Sequence, residues 1–87
     1  MHNYMHNMCM PTIKTIGQFK FYFWSKEPDR AHVHVRHIGL GIEVLIWLDN
    51  LKVKRSCGVA RIDKAAQKLV KKDLKEIQEA WNEHFGV

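Results

Sequence analysis

Between residues 42 and 55 apolar side chains fall on every second position, and from residue 62 onward they fall on every third or fourth. Period two is the signature of a strand and period 3.6 that of a helix, so a chain that changes period once must build sheet first and helix second. The first block sets Ile42, Val44, Ile46 and Leu48 against Glu43, Leu45 and Trp47. A two-residue turn at Asp49-Asn50 then pairs Leu48 with Leu51 and Ile46 with Val53, and sets Trp47 against Lys52 and Leu45 against Lys54. A slip of one residue would send Lys52 and Lys54 into the core, so the register is constrained on both faces.

After Ser56-Cys57-Gly58, the residues Ile62, Ala66, Leu69, Val70, Leu74, Ile77, Trp81 and Phe85 form one apolar stripe at 100° per residue. Asp63 is placed to cap its start, Gly86 to end it, and Asp73 with Glu76 has capping-box spacing that would divide it into two helices. Upstream, Ile13 and Ile16 flank a short strand, Gly17 breaks it, and Gln18 to Trp24 forms a second strand with Phe19, Phe21 and Phe23 on one face. Ser25 to Asp29 is a loop, and residues 30 to 37 form a third strand. The expected fold is α+β: an antiparallel sheet of four to five strands, one face covered by a C-terminal helix or helix pair, with Trp81 and Phe85 buried.

Eighty-seven residues make one domain, drawn here as residues 10–87 behind a flexible leader of residues 1–9. No apolar run reaches the roughly 20 residues that span a bilayer, and no signal-peptide pattern opens the chain, so a cytosolic protein without a membrane partner is expected. Two cysteines, Cys9 and Cys57, lack the paired spacing of a zinc site and are read as reduced thiols. A net charge of +5 and a pI near 9.4 favour an acidic protein or a nucleic acid as partner, or reflect solubility alone.

The third strand, Arg30-Ala31-His32-Val33-His34-Val35-Arg36-His37, carries the unusual chemistry. Alternation sends His32, His34 and Arg36 to the face opposite Val33 and Val35. Two imidazoles and a guanidinium on one surface suit proton transfer beside a phosphate, with Arg30 or Lys54 as further cations. They equally suit a metal, with Glu43 or His37 as a third ligand, or a purely structural role. No cofactor is called for. The remaining face adds Tyr22, Trp24, Trp47, Lys52 and Lys54, a mixture of rings and cations that reads as a binding surface for RNA, DNA or a protein. Lys64, Lys68, Lys71 and Lys75 line a second basic stripe on the helix, read mainly as solvated.

The segments Met10-Pro11-Thr12-Ile13, Phe19-Lys20-Phe21-Tyr22-Phe23, His32-Val33-His34-Val35, Trp47-Leu48-Asp49 and Glu79-Ala80-Trp81-Asn82-Glu83-His84-Phe85 occur in the order in which a known family carries them. From Met10 to Gly86 the chain resembles the small prokaryotic domain-of-unknown-function 4160 family. The resemblance implies one half of a two-gene module, a toxin-like component with a small acidic, antitoxin-like partner, and leaves a homodimer open. It transfers no catalytic residue. In the family the histidine strand usually follows a Pro-Pro pair, whereas Arg30-Ala31 stands here and adds a cation at that point. The functional expectation is therefore a toxin-like protein acting through a His, Arg and aromatic sheet face, with RNA as substrate and metal-independent ribonuclease chemistry if it is an enzyme. A regulatory module that binds nucleic acid or protein without chemistry is the alternative.

Overall fold

The computed structural model describes residues 12–23 and 30–86. Five strands, β1 (Thr12–Ile16), β2 (Phe19–Tyr22), β3 (His32–His37), β4 (Ile42–Trp47) and β5 (Val53–Arg55), precede two helices, α1 (Ala60–Lys72) and α2 (Leu74–Phe85). Every neighbouring pair is antiparallel and the strand order follows the chain, so the sheet is a simple meander. Between β1 and β2, β3 and β4, and β4 and β5 the connections are short, which suits this arrangement because consecutive antiparallel strands need only a tight turn.

Strand parity sorts the faces as the pattern predicts. Phe21, Phe23, Val33, Val35, Val44, Ile46 and Leu48 join Ile62, Ala66, Val70, Ile77 and Trp81 in one core between sheet and helices. Phe85 is half-buried against that core. The break between the helices falls at Asp73, and Gly86 closes α2 in the left-handed conformation at φ 72°, where a Cβ would be strained.

Local details depart from the sequence reading in three places. The β4–β5 connection is a four-residue loop. Trp47 and Lys52 close it through the Trp47 N–H to the Lys52 carbonyl at 3.0 Å, and Leu51 takes φ 65°. Leu48 therefore does not pair with Leu51; it turns into the core. Ile46 still meets Val53, but a register shift sets Leu45 against Arg55 in place of Lys54. Neither acid does the capping expected of it. Asp63 reaches back to accept from the Cys57 N–H at 3.0 Å and from the Ser56 hydroxyl, while Asp73 and Glu76 hold Lys14 of β1 at 3.2 and 2.9 Å. Long-range partners outcompete the local turn because each carboxylate gains a charged donor or two donors at once.

Asp63 thus ties the segment after β5 to the first turns of α1. Burial alone would raise its carboxyl, but the Ser56 hydroxyl and Cys57 amide outweigh that and hold it below the usual aspartate value. The contribution is present above the unfolded-state pKa and is lost as pH falls through the lower folded value. Asp63→Ala should cost about 1–3 kcal/mol, because the half-buried Cys57 N–H and the Ser56 hydroxyl lose their acceptor. Urea denaturation should show that cost near neutrality and show it shrinking below about pH 4, where the unfolded aspartate protonates.

Candidate functional site

The face of the sheet turned away from the helices is far less open than its composition suggests. Tyr22, His32, His34 and Leu45 are 4, 2, 4 and 5% exposed. Parity correctly assigns these residues to one face, yet it carries no information on how tightly they pack there. Trp24 lies outside the described residues, as does the leader of residues 1–9.

His34 sits at the centre of the arrangement. Tyr22 is directly opposite on β2, and Glu43 is diagonally across on β4, two positions from the Leu45 partner of His34. The Tyr22 and His34 rings stack with centroids 5.1 Å apart and planes 25° from parallel. Both then turn to the same acceptor: His34 Nδ1 lies 2.7 Å from Glu43 Oε2, and the Tyr22 hydroxyl donates to that oxygen. A carboxylate only accepts, so this contact places a proton on His34 Nδ1.

His32 has the same polarity. Its Nδ1 lies 2.9 Å from the Arg30 carbonyl oxygen, another pure acceptor, so the proton again belongs on Nδ1. The two imidazoles are 5.3 Å apart between centroids. His32 also meets Trp47 at 5.8 Å and, from the helical layer, Trp81 at 5.7 Å. The first residue of β3 is therefore a point where both layers of the domain touch.

The cations divide between the two ends of β3. Arg36 is exposed, faces Glu43 across β3–β4 and Lys20 across β2–β3, and Lys20 stands 6.0 Å over the Tyr22 ring. Arg30 is at the other end, 3.9 Å over the Trp47 ring and bound to Asp49 through two hydrogen bonds of 2.9 Å. Those bonds raise the Arg30 pKa further and lower that of Asp49. Six residues of strand put the two arginines about 20 Å apart, so they do not converge on one phosphate. Lys54 lies 5.4 Å over the Trp47 ring, and Lys52, which closes the β4–β5 loop, is exposed.

The structure therefore brings together His32, His34, Tyr22 and Glu43, with Arg36 and Lys20 beside them, and holds Arg30, Trp47 and Lys54 as a second cluster. Sequence reasoning considered Glu43 only as a metal ligand and did not single out Lys20. The signal for both was present in the alternation, which places Lys20, Arg36 and Glu43 on one face. His37 has the opposite parity and packs edge-on against Phe19 at 5.2 Å. Among the described residues, no three His, Cys, Asp or Glu side chains are grouped as a metal site would require. Cys57 is half-buried, and burial raises its thiol pKa, which works against a reactive thiolate. Among the same residues, no helix is long and apolar enough to cross a membrane.

The chain has no match among curated proteins or among solved structures. A family model described as Domain of unknown function (DUF4160) matches residues 18–82, a span that contains β2 to β5, α1 and most of α2 together with every member of the His34 cluster. On that match, the chain belongs to the DUF4160 family.

Proposed function

We propose that this protein is the toxin-like member of a two-protein, toxin-antitoxin-type module and that it acts on RNA in the cytosol. The observation that carries the reading is the shared polarity of the two imidazoles, each with Nδ1 held by a fixed acceptor, beside an exposed Arg36 and a Lys20. The chemistry suited to such a set is metal-independent transesterification. One imidazole Nε2 takes the proton from a ribose 2′-hydroxyl as its oxygen bonds to phosphorus, and the other, as imidazolium, gives a proton to the departing 5′-oxygen. The products are a 2′,3′-cyclic phosphate and a free 5′-hydroxyl. Arg36 and Lys20 neutralise charge on the non-bridging oxygens. Glu43 and Tyr22 are positioning residues that fix the His34 ring. No cofactor enters this scheme. The partner is a small acidic protein covering the Trp47 and Arg30 end of the face.

The burial of His32 and His34 favours a second reading, a regulatory module in which the same cluster only stiffens the sheet. Induced expression separates the two. The toxin-like reading expects growth arrest, loss of RNA integrity and rescue by the neighbouring gene. Harmless expression together with specific, salt-sensitive DNA binding by the purified protein would favour the regulator.

A further inference from the structure

The positive charge of this protein is not spread over its surface. Residues 51–72 hold eight of the 14 Lys and Arg side chains and one of the nine acids, so that segment exceeds the whole-chain charge of +5 and the remainder is net negative. The single acid is Asp63, which is buried and already bonded to Ser56 and Cys57. The segment forms the edge strand β5 and helix α1. On α1 the exposed Arg61, Lys64, Lys68 and Lys71 recur every three or four residues, which is one stripe with about one helical turn, 5.4 Å, between cations. None of these four has an ion-pair partner among the described residues. By contrast, Glu76, Glu79 and Glu83 leave α2 acidic.

Beside the stripe runs a groove of about 410 Å³, walled on one side by Lys64, Gln67, Lys68 and Lys71 and on the other by Asn50 and Leu51. Its rim is held in place: Gln67 donates to the Leu51 carbonyl at 2.8 Å, and Asn50 accepts from the Lys52 N–H at 2.9 Å. The basic surface also continues onto the site face. Arg55 pairs with Leu45, Leu45 with His34 and His34 with Tyr22, so Arg55 lies in the same transverse row as the imidazole, two strands or about 10 Å away.

We infer that this α1–β5 surface is the docking track for the substrate's phosphodiester backbone, guiding a single-stranded RNA over the β5 edge toward His34. The inference rests on the RNA-cleaving reading above and adds the place where the strand is held. Unpaired cations at helical-turn spacing along a preformed groove match a chain of phosphates, and they offer no base-reading geometry, so binding is sequence-tolerant.

The test is fluorescence anisotropy with a labelled 20-nucleotide single-stranded RNA, a DNA of the same sequence and polyglutamate as competitor, over a salt series. It uses the full-length protein and, to score binding without cleavage, its His34→Gln variant. Log affinity should fall with log salt by about 0.7 per contacted phosphate. Reversing three cations, Lys64→Glu with Lys68→Glu and Lys71→Glu, should reduce that slope by about 2 and weaken binding about a hundredfold near 0.1 M salt. The corresponding triple Arg variant should bind as the parent does. The DNA should bind about as well as the RNA, because the track meets phosphates alone. Unaltered affinity in the correctly folded triple Glu variant would overturn the inference, as would equally effective competition by polyglutamate. Groove-dependent RNA binding by a protein that cleaves nothing would remove the catalytic reading and keep the track. Intact cleavage with affinity unmoved by the reversal would do the opposite.

Discussion

His34→Gln should lower RNA cleavage by about a hundredfold to ten-thousandfold, the usual loss when one acid-base group is removed. Glutamine is chosen because its amide can still donate toward Glu43, so the half-buried carboxylate keeps a partner and the fold is spared the cost of an orphaned group. Glu43→Gln should cost less, about tenfold to a hundredfold, the range seen when a group that only orients a histidine is lost. It leaves the proton position on the ring unspecified, since an amide can present either a donor or an acceptor. Tyr22→Phe removes one donor to Glu43 and keeps the stacked ring, so its effect should be the smallest of the three. The order of the three matters more than any one value: single-turnover cleavage of a short RNA by purified protein, with far-ultraviolet circular dichroism as the folding control, reads it directly. Full activity in His34→Gln would leave the cluster a structural element of the sheet and end its assignment to chemistry.

The parity that singled out His32, His34 and Arg36 was legible because alternation is a property of the backbone, independent of what covers the sheet. Phe21, Val33, Val35 and Ile46 were assigned to the core on the same ground, and all are buried there. Burial of the other face was not legible. Tyr22, His34 and Leu45 read as half-polar surface in one dimension, and among the described residues the stacking of Tyr22 on His34 and their common bond to Glu43 help polar rings tolerate that environment. Loop length failed for a related reason. Asp49-Asn50 has good turn chemistry, but Leu48 gains more by entering the core than by pairing with Leu51, and Leu51 accepts a left-handed backbone as a result. The expected caps failed because Lys14 and the Cys57 amide compete for Asp73 and Asp63 over distances that no local pattern encodes.

Charge placement is a third case. Net charge alone left nucleic acid and mere solubility equally supported, and the helical lysines read as a solvated face. Topology changes the weight of the same residues, because β5 leads directly into α1, the groove beside α1 is walled by Asn50 and Leu51 of the β4–β5 loop, and the acids of α2 lie on the next helix. The +5 of the whole chain then understates the local field.

Trp81→Ala should destabilise the domain by about 3–5 kcal/mol, the range for deleting a large aromatic side chain from a core. Trp81 is 5% exposed and meets Phe85 at 4.1 Å, Phe23 edge-on at 5.2 Å and His32 at 5.7 Å between ring centroids. It thus touches the hydrophobic core and a member of the His34 cluster together. At roughly 0.05–0.15 kcal/mol per residue, a chain of this length has a total stability of about 4–13 kcal/mol, so the substitution removes a large share of it. Trp81→Phe keeps most of the apolar area and should recover more than half of the loss, whereas Phe85→Ala, at a half-buried site, should cost less than Trp81→Ala. Urea denaturation of the three variants checks the order, with the midpoint of Trp81→Ala lowest. Because the indole also packs on His32, Trp81→Phe should lose activity beyond what its stability explains, measured at a temperature where it remains folded. Activity that merely tracks the folded fraction would show that His32 needs no support from the helical layer.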